Sequence, residues 1–540
     1  MTDYFIGVDV GTGSARAGVF DAAGAMLASA KRDIVLYQDT GDIAEQSSED
    51  IWQAVAASVR EAVSKAAIDA AAVRGIGFDA TCSLVVVGEG GVPLPVGASG
   101  DPSRNIIVWM DHRAIKQADR INATGHKVLD YVGGVISPEM ETPKLLWLKE
   151  HQPETYAGAW QFFDLADYLT WRATGSLARS VCTLTCKWTY LAHEKRWDPS
   201  YFDTIGLGDL AAENFARIGT EVVPGGTALS AGLTAEAASD FGLPSGVAVG
   251  AGLIDAHAGG VGTVGARGGQ GDLRSRMAYV FGTSACSMTT TKDPAFVGGV
   301  WGPYYSAMVP GLWLNEGGQS AAGAAIEHLV LHHPASASAQ DRARAEGLSL
   351  VAWLAQQADK LGGAPNLPQL VGSLHVVPEF LGNRSPLADP DAKALIAGLG
   401  MDRGIDNLIG LYLAGVAGLG YGLKQILSAQ GAKGIATDTI VLSGGAAQSP
   451  LVRQLLADTT GLTIAVTDAE EPVLVGAAIL GALAYGTYSS ATEAMSAMSA
   501  LGETYQPNEA LRDWHDGRSK VFDLLQNAAR EARAISPVAS

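Results

Sequence analysis

Phe5-Ile-Gly-Val-Asp-Val-Gly-Thr-Gly-Ser14 is an apolar run ending in a carboxylate and a loop of glycines and hydroxyls, and it returns in altered form as Met277-Ala-Tyr-Val-Phe-Gly-Thr-Ser-Ala-Cys-Ser287. The return of one phrase at this distance is the signature of a duplicated unit. The Gly-Thr pairs begin at positions 11 and 282 of 540, so the chain divides into two lobes of comparable size, residues 1–263 and 264–540, joined inside the glycine-rich run 259–271. This division replaces the roughly three or four domains that length alone suggests.

Around the first copy the pattern is that of a sheet built from hairpins. Residues 4–10 and 15–21 form strands about the Gly11-Thr-Gly-Ser14 loop, Ala22-Ala23-Gly24 turns the chain, and 25–32 makes a third strand. An amphipathic helix over 48–67, capped by Ser47 or Ser48, precedes a buried strand over 73–78. Farther on, 404–430 reads as a long helix, 438–442 as a buried strand, 450–459 as a helix and 511–534 as a closing surface helix, while the Ala-Ser stretch 335–339 reads as an exposed loop. Strands first and alternating elements afterwards make the class α/β. The most apolar stretches, 473–485 and 408–427, are too short or too interrupted by glycine and Lys424 to cross a bilayer and read as buried helices.

Composition narrows the function. Hydrophobic residues at 47% and charged residues at 17% describe an ordered globular enzyme. Thirty-seven basic against 56 acidic residues leave a formal charge of −19, which repels nucleic acid and anionic membranes, so an anionic ligand must be held by local devices. Four cysteines, Cys82, Cys182, Cys186 and Cys286, are too few for a disulfide scaffold, and the first residues lead straight into a strand with no secretion signal; a reducing cytoplasm is the expected compartment.

The repeated loop has the chemistry of a phosphate site. Gly11 and Gly13 let backbone N–H groups approach an anion, Thr12 and Ser14 offer hydroxyls, Arg16 offers charge, and Asp9 can reach Mg²⁺ through water. A single such loop reads equally as a hairpin whose glycines supply positive φ. The second copy, with Gly282, Thr283 and Ser284, allows one polyphosphate to be gripped from both sides. A third element, Ile440-Val-Leu-Ser-Gly-Gly-Ala-Ala-Gln-Ser-Pro450, is a buried strand ending in paired glycines, suited to a flat base lying against bare backbone, although a tight strand-to-helix turn explains Gly444 and Gly445 one at a time.

Val249-Gly-Ala-Gly-Leu-Ile-Asp-Ala-His-Ala-Gly259 supplies a carboxylate, Asp255, after an apolar strand and before small residues that leave room for substrate; it is the candidate general base, its alternative role being a helix cap. His257 reads as a structural neighbour. Trp109-Met-Asp-His-Arg113 combines a flat apolar wall with polar groups, as sugar recognition requires, while Arg113 serves equally well to hold the loop together through Asp111.

The three glycine motifs resemble the actin/hexokinase/heat-shock chaperone ATPase superfamily, and the remaining residues resemble its FGGY carbohydrate kinase branch over nearly the whole chain. The resemblance implies two ribonuclease H-like domains with the active site between them, and ATP and Mg²⁺ as cofactors. It assigns Asp9, Gly11, Thr12, Gly13, Ser14 and Arg16 to phosphate and metal, Gly282, Thr283 and Ser284 to a second phosphate loop, and Gly444, Gly445, Ala446 and Gln448 to adenosine. In Val377-Pro-Glu-Phe-Leu-Gly-Asn383 it brings Gly382 near the nucleotide, and Met140-Glu-Thr-Pro-Lys to His151 looks like the family's helix leading from the sugar site. Asp255 matches the family base, the Trp109 loop lies near the sugar, and Lys187 and Glu316 take the places of an ammonium and a carboxylate that meet substrate. Phe78-Asp-Ala-Thr-Cys-Ser-Leu-Val-Val86 carries a Thr81-Cys82-Ser83 core similar to the D-ribulokinase subgroup. The implied reaction is phosphorylation of a small sugar or polyol, D-ribulose to D-ribulose 5-phosphate first, with ribitol, L-ribulose and D-xylulose as alternatives; a nucleotide-switched binding protein of the actin or chaperone type is the rival from another class. A homodimer is left open.

Overall fold

A computed structural model of the chain describes residues 2–38, 41 and 43–536, with Ala446 and Ala447 described by their backbone alone. Strand β1 (Tyr4–Val10) is buried on both faces, with Phe5, Ile6, Val8 and Val10 inaccessible to solvent, so its apolar run is near-continuous instead of alternating. It turns back antiparallel into β2 (Ser14–Asp21) and then β3 (Met26–Asp33), and it pairs in parallel with β4 (Val73–Ala80), which pairs in parallel with β5 (Ala248–Ile254). The sheet order is therefore β3-β2-β1-β4-β5.

The second half repeats that plan. Strand β6 (Arg276–Phe281) is antiparallel to β7 (Ala285–Thr291), which is followed in space by β9 (Trp313–Gln319) and the edge strand β8 (Trp301–Tyr305). On its other side β6 runs parallel to β10 (Thr439–Ser443), beside β11 (Thr463–Thr467) and the edge strand β12 (Leu501–Tyr505). Without its two edge strands this sheet reads β9-β7-β6-β10-β11, the same order as the first, so the sequence repeat is a repeat of topology.

Helices cover the faces because their apolar stripes demand it. In α1 (Ser48–Ala66) Ile51, Trp52, Val55, Val59 and Ala62 fall on one side and pack on β2 and β3, and the Ser47 hydroxyl accepts the Asp50 N–H at 3.3 Å to cap the first turn. The long α4 (Ile405–Gly431) and α5 (Pro450–Thr460) build the second core with β6 and β10. The expectation of an exposed loop at 335–339 fails: that stretch enters helix Ser336–Ala345, where Ala339 and Ala343 are fully buried. Alanine has the strongest helix propensity, and residues four apart share a face, so small side chains here serve close packing.

One helix breaks the sequential division into lobes. Apolar all round, α6 (Pro472–Tyr485) comes from the second half yet lies on β1, β4 and β5 of the first and beside α3 (Asp255–Val261). The approach is so close that a Cβ on Gly7 would sit 2.0 Å from the Leu474 carbonyl oxygen, and one on Gly476 would sit 1.9 Å from that of Ala258. Glycine at these points is what brings the two halves together around the ends of β1, β4 and β5.

Candidate active site

The parallel strands β1, β4 and β5 all point their carboxyl ends to the same side, where open α/β sheets bind ligands. Register puts Asp9 opposite Arg16 on one side and Asp79 on the other, while Asp255 follows the last residue of β5. Three acids thus share one edge. The Arg16 guanidinium bonds Asp9 and, at 2.8 Å, Glu471 at the foot of α6, and so ties the first loop to the second half.

Neither oxygen of the fully buried Asp79 has a hydrogen-bond donor among the described residues, and burial followed by the charges of Asp9 and Asp255 pushes its carboxyl well above the usual range. The Asp9 charge beside it thus disfavours a second charge on Asp79. Burial and the Asp9 charge raise Asp255 to about 6, against the opposite pull of His257 and Lys187.

Both glycine loops close alike: Gly11 N–H donates to the Ser14 carbonyl at 3.0 Å, and Gly282 N–H to that of Ser284 at 2.9 Å. Their glycines do not serve backbone geometry. Gly11, Gly13, Gly282 and Gly445 all lie outside the left-handed region. A Cβ at Gly13 or Gly445 would meet nothing within 4 Å, and one at Gly11 or Gly282 only its own turn at 3.8 Å. The hairpin alternative, glycine chosen for positive φ, therefore does not hold at these positions, and bare backbone is left facing open space. Gly444 differs, with φ +92° and the Phe281 carbonyl oxygen 2.5 Å from where a Cβ would be. The turn demands that glycine.

Asp9, Gly11, Thr12 and Arg16 from the first loop and Gly282, Thr283 and Ser284 from the second meet Asp255 around one cavity of about 300 Å³. Its other end gathers Thr81, Cys82, Trp109, Lys187 and Glu316. Trp109 Nε1 donates to Thr12 Oγ1 at 2.9 Å, so the aromatic wall is locked to the phosphate-type loop. Lys187, at the end of α2 (Val181–Lys187), holds its ammonium 4.4 Å from the centroid of the Trp301 ring. Burial opposes that charge, but Cys82, Glu316, Tyr304 and Glu139 together carry it well above its usual value. Burial likewise opposes ionisation of Glu316, yet Lys187, His257 and Arg384 bring it down to about 2. This end of the cavity is a lattice of fixed opposite charges. A larger groove of about 1280 Å³ beside the C-terminal helix holds none of these groups.

Other expected residues fall outside the cavity. Gly13 and Ser14 line an adjoining depression that shares Gly11, Thr12 and Arg16 with it. Ser83 is buried behind it, with its hydroxyl 3.1 Å from that of Thr81 and accepting the Trp109 N–H at 3.2 Å. Asp111 and Arg113 face away from the expected sugar: Arg113 donates to Asp111 at 2.8 and 2.7 Å, to Glu45 at 2.8 Å and to the Val96 carbonyl, so the pair holds the loop that carries Trp109. Gly382 lines a narrower cleft next door that shares Arg384 with the cavity. Gly444, Gly445 and Gln448 form an exposed turn beside β6, the strand leading to the second loop, and the Ala446 side chain lies outside the described residues.

Asp79, Glu139, Trp301 and Arg384 are residues of this site that sequence reading passed over. Asp79 had a signal, the lone carboxylate of a strand that is apolar or small from Gly75 onward. Glu139 had a weaker one, as it directly precedes the Met140-Glu-Thr-Pro helix, and Trp301 and Arg384 had none.

Two sheets of one strand order, closing on an acid-lined cavity between paired glycine loops, make this a two-domain actin-like ATPase fold. The chain belongs to the FGGY family of carbohydrate kinases, whose N-terminal domain matches residues 4–262 and whose C-terminal domain matches residues 277–485. A human FGGY carbohydrate kinase domain-containing protein is 48% identical over 541 residues, covering 98% of both chains. A D-ribulokinase of Saccharomyces cerevisiae is 38% identical over 512 residues, which cover 89% of this chain and 72% of the yeast protein. In fold, the chain is similar to a xylulose kinase from Rhodospirillum rubrum, with a TM-score of 0.79, 20% identity and coverage of 98% of this chain and 99% of that one. The protein is thus an enzyme that phosphorylates a sugar, and no helix among the described residues is long and apolar enough to cross a membrane.

Proposed function

We propose that this kinase transfers the γ-phosphoryl group of ATP to D-ribulose, giving D-ribulose 5-phosphate, with Asp255 as general base, and that it works in the cytoplasm. The observation that carries the reading is the meeting, in one cavity, of Asp255, both glycine loops and the charged end formed by Lys187 and Glu316. The 38% identity to the yeast D-ribulokinase supports the choice of pentulose.

The open faces of Gly11 and Gly282 are cradles that a Cβ would fill, and they fit the phosphates of a nucleotide; the open face of Gly445 fits its adenosine end. The acid edge fits a hard divalent cation: Asp9, backed by Asp79 with its partnerless oxygens, would hold Mg²⁺. When bound, that ion supplies charge neutralisation at the phosphates. The chain's own residues do the rest. Thr12 and the backbone amides of both loops orient the phosphates, and Arg16 balances their charge. Lys187 and Glu316 fix the sugar hydroxyls so that the terminal one faces Asp255. Asp255 accepts its proton as phosphoryl transfer proceeds, the transition state being stabilised mainly by position and charge. A base near 6 is matched to that task, because it is ionised at neutral pH yet still basic enough to take a proton.

The test is ADP release by the purified enzyme across D-ribulose, L-ribulose, D-xylulose and ribitol. D-Ribulose should give the highest kcat/KM. Preference for another of the four overturns the substrate, and ATP hydrolysis indifferent to all four overturns the kinase mechanism.

A further inference from the structure

Behind Asp255 lies a cluster that the mechanism above does not use. His257, two residues on in α3, is fully buried and has both ring nitrogens engaged: Nδ1 lies 3.0 Å from Cys182 Sγ, and Nε2 lies 3.0 Å from Glu316 Oε2. Cys182, in the first turn of α2, also accepts the Ile254 N–H at 3.5 Å, so the sulfur is fastened to the end of β5. Glu316 comes from β9 in the other half of the chain. The chain of contacts therefore runs from the floor of the first sheet, through the imidazole, to a carboxylate on the far wall of the cavity.

We propose that His257 is a positioning residue for substrate binding: braced by Cys182, it clamps one oxygen of Glu316 and leaves the other to receive the sugar. The proposal rests on the reading of Glu316 as a sugar ligand. Three observations support it. His257 is the one hydrogen-bond donor to Glu316 among the described residues. Glu316 lines the cavity, whereas His257 does not. Two cations, Lys187 and Arg384, line the same cavity and act on the Glu316 charge, so an unclamped carboxylate would be drawn to them and away from substrate. A carboxylate held by one oxygen keeps its direction, and direction is what lets it discriminate among sugar hydroxyls at no fresh cost in side-chain order.

A scheme of four variants tests this: His257→Ala, His257→Gln, Cys182→Ala and Cys182→Ser, each assayed for the KM of pentulose, the KM of ATP, kcat and melting temperature. A hydrogen bond to a charged group predicts that His257→Ala raises the pentulose KM by about ten- to a hundredfold. The KM of ATP should stay within about twofold and kcat within about fivefold, since what is lost is uniform binding of sugar. Gln, whose amide can donate where Nε2 did, should recover most of the affinity. Cys182→Ala should produce a smaller rise than His257→Ala, and Cys182→Ser a smaller one still.

An unmoved pentulose KM in folded His257→Ala overturns the proposal, as does an equal rise in the KM of ATP, or a Gln variant no better than Ala. Because Cys182, Cys186 and His257 bring their ligand atoms within 4.8 Å of one another, the metal content of the purified enzyme is measured as well. One equivalent of zinc, lost in Cys182→Ser, would make the cluster a metal centre and overturn the clamp. The wild-type control separates the two readings. No turnover of any pentulose refutes the proposed reaction, while turnover with an unmoved KM in the variant refutes the clamp.

Discussion

Acidification should switch this enzyme off through one proton. The base must be ionised to act, and burial together with the Asp9 charge holds Asp255 at about 6. The ionised fraction is then about 0.9 at pH 7 and about 0.09 at pH 5, so kcat/KM for the sugar should fall about tenfold across that interval, with a limiting slope of one. Glu316 and Glu139, both brought down to about 2 against their burial, stay charged throughout, and Lys187 stays protonated. The charged end of the cavity is therefore constant while the base titrates. Lys187 pulls Asp255 downward, so Lys187→Met should move the acid limb to higher pH, a displacement that titration of ATP itself cannot produce. In Asp79→Asn the limb should persist, because burial and the Asp9 charge, not Asp79, hold Asp255 up. The assay is initial-rate ADP release at ATP and sugar both well below saturation from pH 5 to 8, so that the free enzyme is read, with Asp255→Asn as reference; that variant should fold and lose at least about a hundredfold in turnover. A flat profile between pH 7 and 5, a limb unmoved by Lys187→Met, or full activity in Asp255→Asn would refute the assignment.

The glycines give a paired contrast. Gly282→Ala places its methyl in the space assigned to phosphate, so its denaturation midpoint should match wild type, a change within about 0.5 kcal/mol, while the KM of ATP rises. Gly7→Ala drives a Cβ against the Leu474 carbonyl oxygen and should destabilise by about 1–3 kcal/mol, read by chemical denaturation, with little change in the KM of ATP. Arg113→Ala leaves Asp111 buried without its cation, while Glu45 keeps Arg104; it should cost about 3–5 kcal/mol in the same experiment, and correspondingly less if the arginine pointed into the sugar site.

What the sequence made legible is what local chemistry encodes. The β1–β2 loop and its echo could be found because a strand, a turn and a strand occupy neighbouring positions, and a duplicated pattern carries its topology with it; both sheets have the same order. Asp255 could be found because the end of an apolar strand followed by small residues is visible along the chain. Asp79 could not be ranked the same way. Its meaning comes from lying beside Asp9 in a parallel pairing, and parallel register between β1 and β4 is set by packing across some 70 residues that include α1. The Trp109 loop shows the same limit in reverse: Asp111 and Arg113 have the composition of a sugar site, and only the position of Glu45 decides that their charges close on each other.

The glycines mark the boundary most sharply, because three physical causes write the same letter. Gly444 answers to a positive φ, Gly7 to the approach of a helix from the other half of the chain, and Gly11 and Gly282 to neither. A reader of sequence sees four equivalent residues. Once backbone angle and neighbouring atoms have accounted for the first two, the remaining pair is left with bare backbone facing open space, which is the ground for proposing a phosphate there. The same subtraction applies to charge: Arg113 is spent on Asp111 and Glu45, whereas Lys187 and Glu316 line the cavity shared with Asp255 and both glycine loops, which is the ground for proposing the second pair as sugar ligands.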